Sequence, residues 1–280
     1  MKIRISADST CDLSPELIRQ YGIGITPLYI QMDDRTLRDG EECTAKDLFD
    51  YTARTGRLCG TAAVTILDYT EFFTEALREH DAVIHFTISS DMSSCFQNAR
   101  IAAEEFPGRV FVIDSRNLST GIGLLVLDAA EMAAEGMEAA EIASTLEKKK
   151  ERLNVSFILD TLEYLHKGGR CSGIVALGAN LLKLRPCIQV TNGKMSVGKK
   201  YRGTLVRCAA DYVKDKLPDM DAVEKKRIFF TDSGVAPEVE NAVMEVLKEK
   251  GFEEILHTRA GSTISGHCGP NCLGVLFYNK

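Results

Sequence analysis

The feature that most restricts the fold of this chain is the alternation of short apolar runs with longer amphipathic stretches through its first half. Runs at 3–7, 82–88 and 109–113 have the length and composition of buried strands. Ser14 before Pro15, and Thr65 three residues before Asp68, are typical of helix starts. Strands that alternate with helices favour a mostly parallel sheet covered by helices. Further helices are predicted at 96–105, 121–134 and 138–153.

The second half of the chain has a different pattern. Runs at 187–190 and 194–197 flank Asn192-Gly193, and Asn-Gly between alternating runs is a strong hairpin signal. The remaining predicted elements are strands at 155–159, at 227–231, near 255 and near 275, and helices at 172–182, 205–217 and 238–250. We therefore predict an α/β protein of two domains, with an N-terminal α/β domain over 1–155 and a C-terminal mixed α+β domain over 156–280.

Charge and apolar content exclude several classes of protein. Lys and Arg total 34 against 40 Asp and Glu, and the net charge of −6 gives no electrostatic reason to expect a nucleic acid or an anionic membrane as partner. No apolar stretch approaches the roughly 18 residues of a membrane span, and the first residues lead directly into a strand. We expect a cytoplasmic protein without stable membrane insertion.

The cysteines also bear on the class of protein. There are nine, they are scattered, and their odd number predicts reduced thiols rather than a disulfide framework. Only Cys268 and Cys272 are close together, with His267 beside them, whereas a tetrahedral metal site needs about four ligands. We therefore expect no metal and no cofactor.

Short polar groups end several of the predicted strands: Asp8-Ser9-Thr10, Ser89-Ser90, Asp114-Ser115 and Asp232-Ser233. In open α/β sheets ligands bind beyond the carboxyl ends of the strands, so these groups are candidate ligand contacts. The same residue types cap helices, and this structural interpretation is favoured for Asp114 and Asp232.

Two hydroxyl residues, Thr61 and Ser93, stand just ahead of predicted helices. Free backbone N–H groups at a helix start, together with hydroxyls, suit an anion. Taken singly, each residue is more typical of a helix cap than of a ligand contact.

Two arginines and one histidine complete the set of candidates. Arg170 follows two flexible glycines and Arg202 follows the predicted hairpin, and a guanidinium matches a carboxylate or a phosphate. His267 lies in the segment 261–274, where four glycines and a proline indicate a backbone held close to another group. An exposed arginine and a structural histidine are the alternative interpretations.

Taken together, five motifs resemble the DegV family of bacterial fatty-acid-binding proteins in order and spacing over essentially the whole chain. These are Asp8-Ser9-Thr10-Cys11-Asp12-Leu13, Thr61, Ile88-Ser89-Ser90-Asp91-Met92-Ser93, Gly168-Gly169-Arg170 and Gly266-His267. The resemblance implies one long-chain fatty acid buried between two α/β domains, with its carboxylate held by Thr61 and Ser93. It places Arg170, Arg202 and His267 near the carboxylate or where a partner docks. It also implies that the chain does no chemistry alone, and that a separate ATP-binding fatty acid kinase subunit phosphorylates the presented carboxylate to an acyl phosphate.

The chain departs from the family pattern at several positions. Ala62 stands where Ser is usual, Ser94-Cys95-Phe96 replaces Gly-Thr-Tyr, and Ser265 and Asn271 stand where Gly is usual. A hydroxyl is lost at position 62 and one is gained at position 94. We expect the hydrogen bonds to the carboxylate to be rearranged while the class of ligand stays the same.

Three alternatives remain open at this point. A hydrolase would use Ser93 as nucleophile and His267 as base, but no G-x-S-x-G motif is present. A nucleotide-binding protein is disfavoured because no phosphate-binding glycine motif follows a strand. A lipid reservoir or regulator without a kinase partner is compatible with every motif. The apolar tail pocket would draw on residues such as Leu124, Leu125, Leu127, Ala129 and Ala130, or Leu181 and Leu182, which fit a core equally well.

Overall fold

The computed structural model describes residues 1–171 and 184–280. The strands are β1 (Ile3–Asp8), β2 (Gly24–Thr26), β3 (Tyr29–Met32), β4 (Arg35–Arg38), β5 (Gly60–Ala62), β6 (Ala82–Thr87), β7 (Val110–Asp114), β8 (Leu153–Ile158), β9 (Leu184–Thr191), β10 (Lys194–Arg202), β11 (Arg227–Asp232), β12 (Glu254–Arg259) and β13 (Leu273–Tyr278). The helices are α1 (Pro15–Tyr21), α2 (Ala45–Thr55), α3 (Ile66–Glu79), α4 (Cys95–Ala103), α5 (Thr120–Ala134), α6 (Ala139–Lys149), α7 (Glu163–Gly168), α8 (Leu205–Lys216), α9 (Pro237–Lys248) and α10 (Ser262–Cys268). The predicted helix at 172–182, with Leu181 and Leu182, lies outside the described residues.

The first half of the chain builds a parallel sheet of four strands in the order β2-β1-β6-β7. Helices α1 and α3 begin with the side-chain caps that the sequence predicts. Ser14 Oγ accepts a hydrogen bond from the backbone N–H of Leu17 ahead of Pro15. Thr65 and Asp68 form a reciprocal capping box at α3. The predicted sheet and its covering helices are confirmed.

The second half builds a mixed sheet of six strands in the order β10-β9-β8-β13-β11-β12. Asn192 and Gly193, with φ of 49° and 82°, make the tight turn of the predicted hairpin, since both positions of such a turn need positive φ. Strand β8 already pairs within this sheet, so the predicted division between residues 155 and 156 falls inside a strand. Helix α6 ends at Lys149 rather than near 153, because a 3-10 turn over Lys150–Arg152 leads from it into β8 at Leu153.

A third, small sheet was not predicted. The segment between α1 and α3, interpreted from sequence as a connection, contains α2 and an antiparallel sheet in the order β4-β3-β5. Its strands have only three or four residues each, too few for an alternation pattern to stand out. Thr61 lies on β5 opposite Ile30, so the expectation that it stands at a helix start is wrong.

The glycine-rich segment also differs from expectation. Residues 262–268 form helix α10, and Gly266 lies inside it, where a Cβ would stand 3.2 Å from Leu48 Cδ2 on α2. Gly269, with φ of 78°, ends the helix. The glycines therefore allow close packing of α10 and its exit into β13.

Helix α5 is the element that joins the two larger sheets. Every residue from Thr120 to Ala130 is buried, and α5 contacts strands of both sheets. A helix that is apolar on all sides is a core helix. The leucines and alanines proposed from sequence as pocket or core residues, Leu124 to Ala130, are buried here. No helix in the described ranges is both long and apolar enough to cross a bilayer.

Candidate functional site

Two of the predicted site residues are in direct contact. Thr61 on β5 and His267 on α10 are 206 residues apart in sequence, yet Thr61 Oγ1 and His267 Nε2 share a hydrogen bond of 2.9 Å. The small sheet carries Thr61 to α10, with which both β3 and β5 make contacts. The contact depends on the sheet that sequence reasoning missed.

These two residues lie in the wall of a cavity of about 60 Å³. Ser93 and Arg170 line the same cavity, so the structure brings together four of the five predicted site residues. The rest of the wall is mostly apolar, and includes Leu28, Ile88, Met92, Leu118, Leu165, Met195 and Ile264. Arg202 is elsewhere, exposed at the end of β10 and absent from the described residues that line the cavity.

The imidazole of His267 is held in a restricted space. Burial, with a contribution from the positive charge of Arg170, lowers the pKa of His267 from 6.5 to about 4, so the ring is neutral at pH 7. Its Nδ1 is buried and has no hydrogen-bond partner in the described parts of the chain. The ring packs on Gly168, where any Cβ would overlap Nδ1. Gly168 therefore provides the space that His267 occupies.

Arg170 and Ser93 lie at the more open side of the cavity. Arg170 is exposed, and its guanidinium donates to the carbonyl oxygens of Gly168 at 2.6 Å and Met92 at 3.5 Å. Ser93 Oγ accepts from the backbone N–H of Cys95 at 3.3 Å and donates to its Sγ at 3.2 Å. The Ser93 hydroxyl thus contacts Cys95 while His267 contacts Thr61. The hydrogen bond that a Ser93–His267 nucleophile–base pair requires is not formed among these residues.

A second apolar cavity of about 30 Å³ lies next to the first, and both are bordered by Leu118, Ile264 and Cys268. It extends between β8, β11 and β13, with Phe157 and Leu276 in its wall. A wider cleft of about 480 Å³ near Asn117 and Asn154 has a polar lining, which does not suit an apolar ligand. The two apolar cavities therefore adjoin, with the same three side chains bordering both.

Two carboxylates hold the beginning of α10. Asp12 accepts from the backbone N–H of Gly261 at 2.8 Å and from Ser119 Oγ at 2.6 Å. Asp39 accepts from the backbone N–H of Ser262 at 2.9 Å. Burial raises the pKa of Asp12 to about 8. Sequence reasoning did not assign this role, because the residues that meet here are more than 200 positions apart.

The polar groups at the strand ends are hydrogen-bonded to neighbouring side chains and backbone N–H groups. Asp8 is fully buried and accepts from Tyr69 Oη at 2.6 Å and from the backbone N–H of Ile88 at 3.0 Å. Asp232 accepts from the N–H groups of Gly234 and Val235. Asp114 accepts from the N–H of Arg116. Within the described ranges no group of three or more His, Cys, Asp or Glu side chains is placed to hold a metal ion.

The lowered pKa of His267 leads to a prediction for stability. Below pH 6.5 the unfolded chain takes up a proton that folded His267 does not accept until about pH 4, so stability falls as the pH falls through this window. Between pH 7 and pH 4.5 the free energy of unfolding should fall by about 2–3 kcal/mol less in His267→Gln than in the wild-type protein, at 1.36 kcal/mol per pKa unit. Urea unfolding of both proteins at the two pH values measures the difference. Equal losses in both proteins contradict the prediction.

Comparison with known proteins adds an independent finding. The sequence model of the family described as uncharacterised protein, DegV family, matches residues 2–280. A DegV domain-containing protein of Caldanaerobacter subterraneus subsp. tengcongensis is 33% identical, over 100% of this chain and 99% of that protein. A protein of Thermotoga maritima named fatty acid-binding protein is 28% identical, over 98% of this chain and 96% of its own length. A solved structure described as fatty acid binding of a DegV family protein from Thermus thermophilus superposes with a TM-score of 0.92 at 32% identity and covers 100% of both chains. The chain belongs to the DegV family.

Proposed function

We propose that this protein binds one long-chain fatty acid in the two apolar cavities and presents its carboxylate to a separate ATP-dependent kinase subunit. The observation that carries the proposal is the placement of Thr61, Ser93, Arg170 and His267 in the wall of a mostly apolar cavity that adjoins a second one. The names of the Thermotoga and Thermus relatives support fatty acid as the class of ligand.

The free energy of binding comes mainly from the tail. At about 0.8 kcal/mol per buried CH₂, a sixteen-carbon chain contributes up to ~12 kcal/mol. A carboxylate buried without partners costs several kcal/mol or becomes protonated. Hydroxyl donors from Thr61 and Ser93, and the positive charge of Arg170, offset that cost. Hydrogen-bond donors therefore suffice at this end, and no cofactor is required.

The two cavities must enlarge and join when the tail of the fatty acid binds. Pockets for small molecules usually measure roughly 300–1,000 Å³, whereas the two cavities measure about 60 and 30 Å³. Leu118, Ile264 and Cys268 border both cavities, so movement of these side chains would join them. We propose that the tail runs from the head-group residues past these three side chains and ends near Phe157 and Leu276.

The positions of Arg170 and Arg202 support presentation of the carboxylate to a partner protein. Arg170 is exposed beside the half-buried head-group residues, and Arg202 is exposed at the end of β10. We propose that Arg170 faces both the carboxylate and the incoming partner, and that Arg202 contributes to docking only. The chain has no nucleotide-binding motif of its own, so ATP would come with the partner, in the cytoplasm.

Mass spectrometry of the purified protein tests the ligand. We expect one fatty acid per chain under native conditions, and we expect Thr61→Val with Ser93→Ala to lower its occupancy at least several-fold, because two donors to the carboxylate are lost. Thr74→Val, which removes a helix-surface hydroxyl bonded only to its own helix, is the matched control and should retain the lipid. Folded protein that stays empty when fatty acid is supplied contradicts the proposal.

Phosphate transfer separates a presenter from a reservoir. The lipid-loaded protein is mixed with the matching kinase subunit and labelled ATP, and label in the lipid extract is measured. We expect acyl phosphate only when both proteins are present, and less of it with Arg202→Ala although lipid occupancy is unchanged. A loaded protein that no kinase subunit from its source labels is a reservoir.

A further inference from the structure

Thr263 is a residue in the first cavity that the proposed function does not use. It lies on α10, is only 3% exposed and lines the cavity with Thr61 and His267. Its hydroxyl Oγ1 is buried and has no hydrogen-bond partner in the described parts of the chain. The neighbouring hydroxyls differ, because Ser262 Oγ donates to the carbonyl of Cys43 and Ser265 Oγ donates to the carbonyl of Ala260.

A buried hydroxyl without a partner carries a free-energy penalty that a partner removes. Most of the cavity wall is apolar, and its other polar side chains, such as Thr61 and His267, form no hydrogen bond with Thr263. A ligand in the cavity can supply the partner that Thr263 lacks in the described parts of the chain. The position of Thr263 then decides which part of the ligand it meets.

Thr263 stands one helical turn from His267, or about 6 Å along the axis of α10 at 1.5 Å per residue. His267 is at the Thr61 end, where the carboxylate is placed, while Ile264 borders the second, deeper cavity. Thr263 therefore lies beside the ligand between its carboxylate and its tail, a short distance inside the head group.

We infer that the preferred ligand is a fatty acid that carries a hydroxyl group close to its carboxyl end, with Thr263 Oγ1 as the partner of that hydroxyl. This inference rests on the proposed fatty-acid site and names the ligand within it. A site that hydrogen-bonds a ligand hydroxyl discriminates against the analogue that lacks it, because its own polar group is then left unpaired.

Competition between defined lipids tests the inference. Delipidated protein is titrated with palmitate, β-hydroxypalmitate and ω-hydroxypalmitate, whose hydroxyl is at the far end of the chain. We expect β-hydroxypalmitate to bind roughly ten-fold more tightly than palmitate, the effect of one hydrogen bond, and ω-hydroxypalmitate to show no such gain. Thr263→Val, which keeps the shape of the side chain, should abolish the preference, and Thr263→Ser should retain it.

Each result has one meaning. Equal affinity of the wild-type protein for palmitate and β-hydroxypalmitate overturns the inference but leaves the fatty-acid site in place. A preference that survives in Thr263→Val also overturns it, because another group must then contact the hydroxyl. Failure of all three lipids to bind refutes the fatty-acid site itself. Thermal unfolding of both variants checks that they are folded. If Thr263→Val is not folded, the comparison of Thr263→Ser with the wild-type protein still tests the inference.

Discussion

Replacement of Arg227 by methionine is expected to lower the free energy of unfolding by about 2–3 kcal/mol, because the charge-assisted hydrogen bonds of a buried guanidinium are lost. The Arg227 side chain is 3% exposed, and its guanidinium bonds Glu254 at 2.6 Å and Glu131 at 2.7 Å. Asp128 on α5, 5% exposed, is 3.9 Å away. The substitution removes the buried cation between α5 and the six-stranded sheet, although Asp128 keeps Lys149 and Glu131 keeps Lys226. Chemical denaturation at pH 7 measures the change.

The control for this prediction is an exposed ion pair. Lys199 Nζ lies 2.5 Å from Asp215, and both side chains are largely in solvent. Such pairs contribute about 0–1 kcal/mol, so Lys199→Met should have a small effect. A loss below about 1 kcal/mol in Arg227→Met would show that methionine packs well enough to replace the ion pairs, and would remove Arg227 from the residues that hold the two sheets together.

Replacement of Gly168 by alanine is expected to weaken fatty-acid binding about ten- to one-hundred-fold while the protein stays folded. The new methyl group would overlap Nδ1 of His267, and overpacking of this kind costs about 1–3 kcal/mol unless the ring moves. If the ring moves, its hydrogen bond to Thr61 is lost. Gly168 is the last residue of α7, where alanine is otherwise the better helix former. Lipid titration by calorimetry measures the change in affinity.

The adjacent glycine provides a matched control. Gly169 has a φ of 69°, and among the described residues no atom beyond its chain neighbours lies within 4 Å of the position its Cβ would take. Gly169→Ala should therefore lower stability by about 1 kcal/mol through backbone strain and leave binding nearly unchanged. In a Gly168→Ala, His267→Ala double variant the overlap disappears, so the two effects should not add. Equal binding by Gly168→Ala and wild type would contradict the role of Gly168.

The elements that sequence reasoning predicted correctly carry local signals. The Asn192-Gly193 turn and the Thr65–Asp68 capping box each depend on residues within a few positions of one another. The short strands around Thr61 and the helix at 262–268 lack such signals, because their stability comes from contacts with distant residues. Local interactions can be predicted from a single sequence, whereas the pairing of distant segments cannot.

In the candidate site, too, some residues can be identified from the sequence and others only from the structure. Thr61, Ser93, Arg170 and His267 were found because their motifs resemble those of a known family. The requirement for Gly168 and the unpartnered hydroxyl of Thr263 depend on atoms that meet only after folding. The resemblance also implies a role for Arg202, which lies in solvent at a strand end, away from the other four. A motif specifies which residues matter to a family but not which of them share a cavity.

The position of α5 has a consequence for how the chain folds. Since α5 is buried on every side by elements of both larger sheets, neither half can complete its core until the other is present. A fragment that ended after α6 would expose the apolar surface that now faces β8, β11 and β13. The two halves therefore form a single cooperative folding unit, and amide hydrogens of α5 should exchange with solvent only through global unfolding.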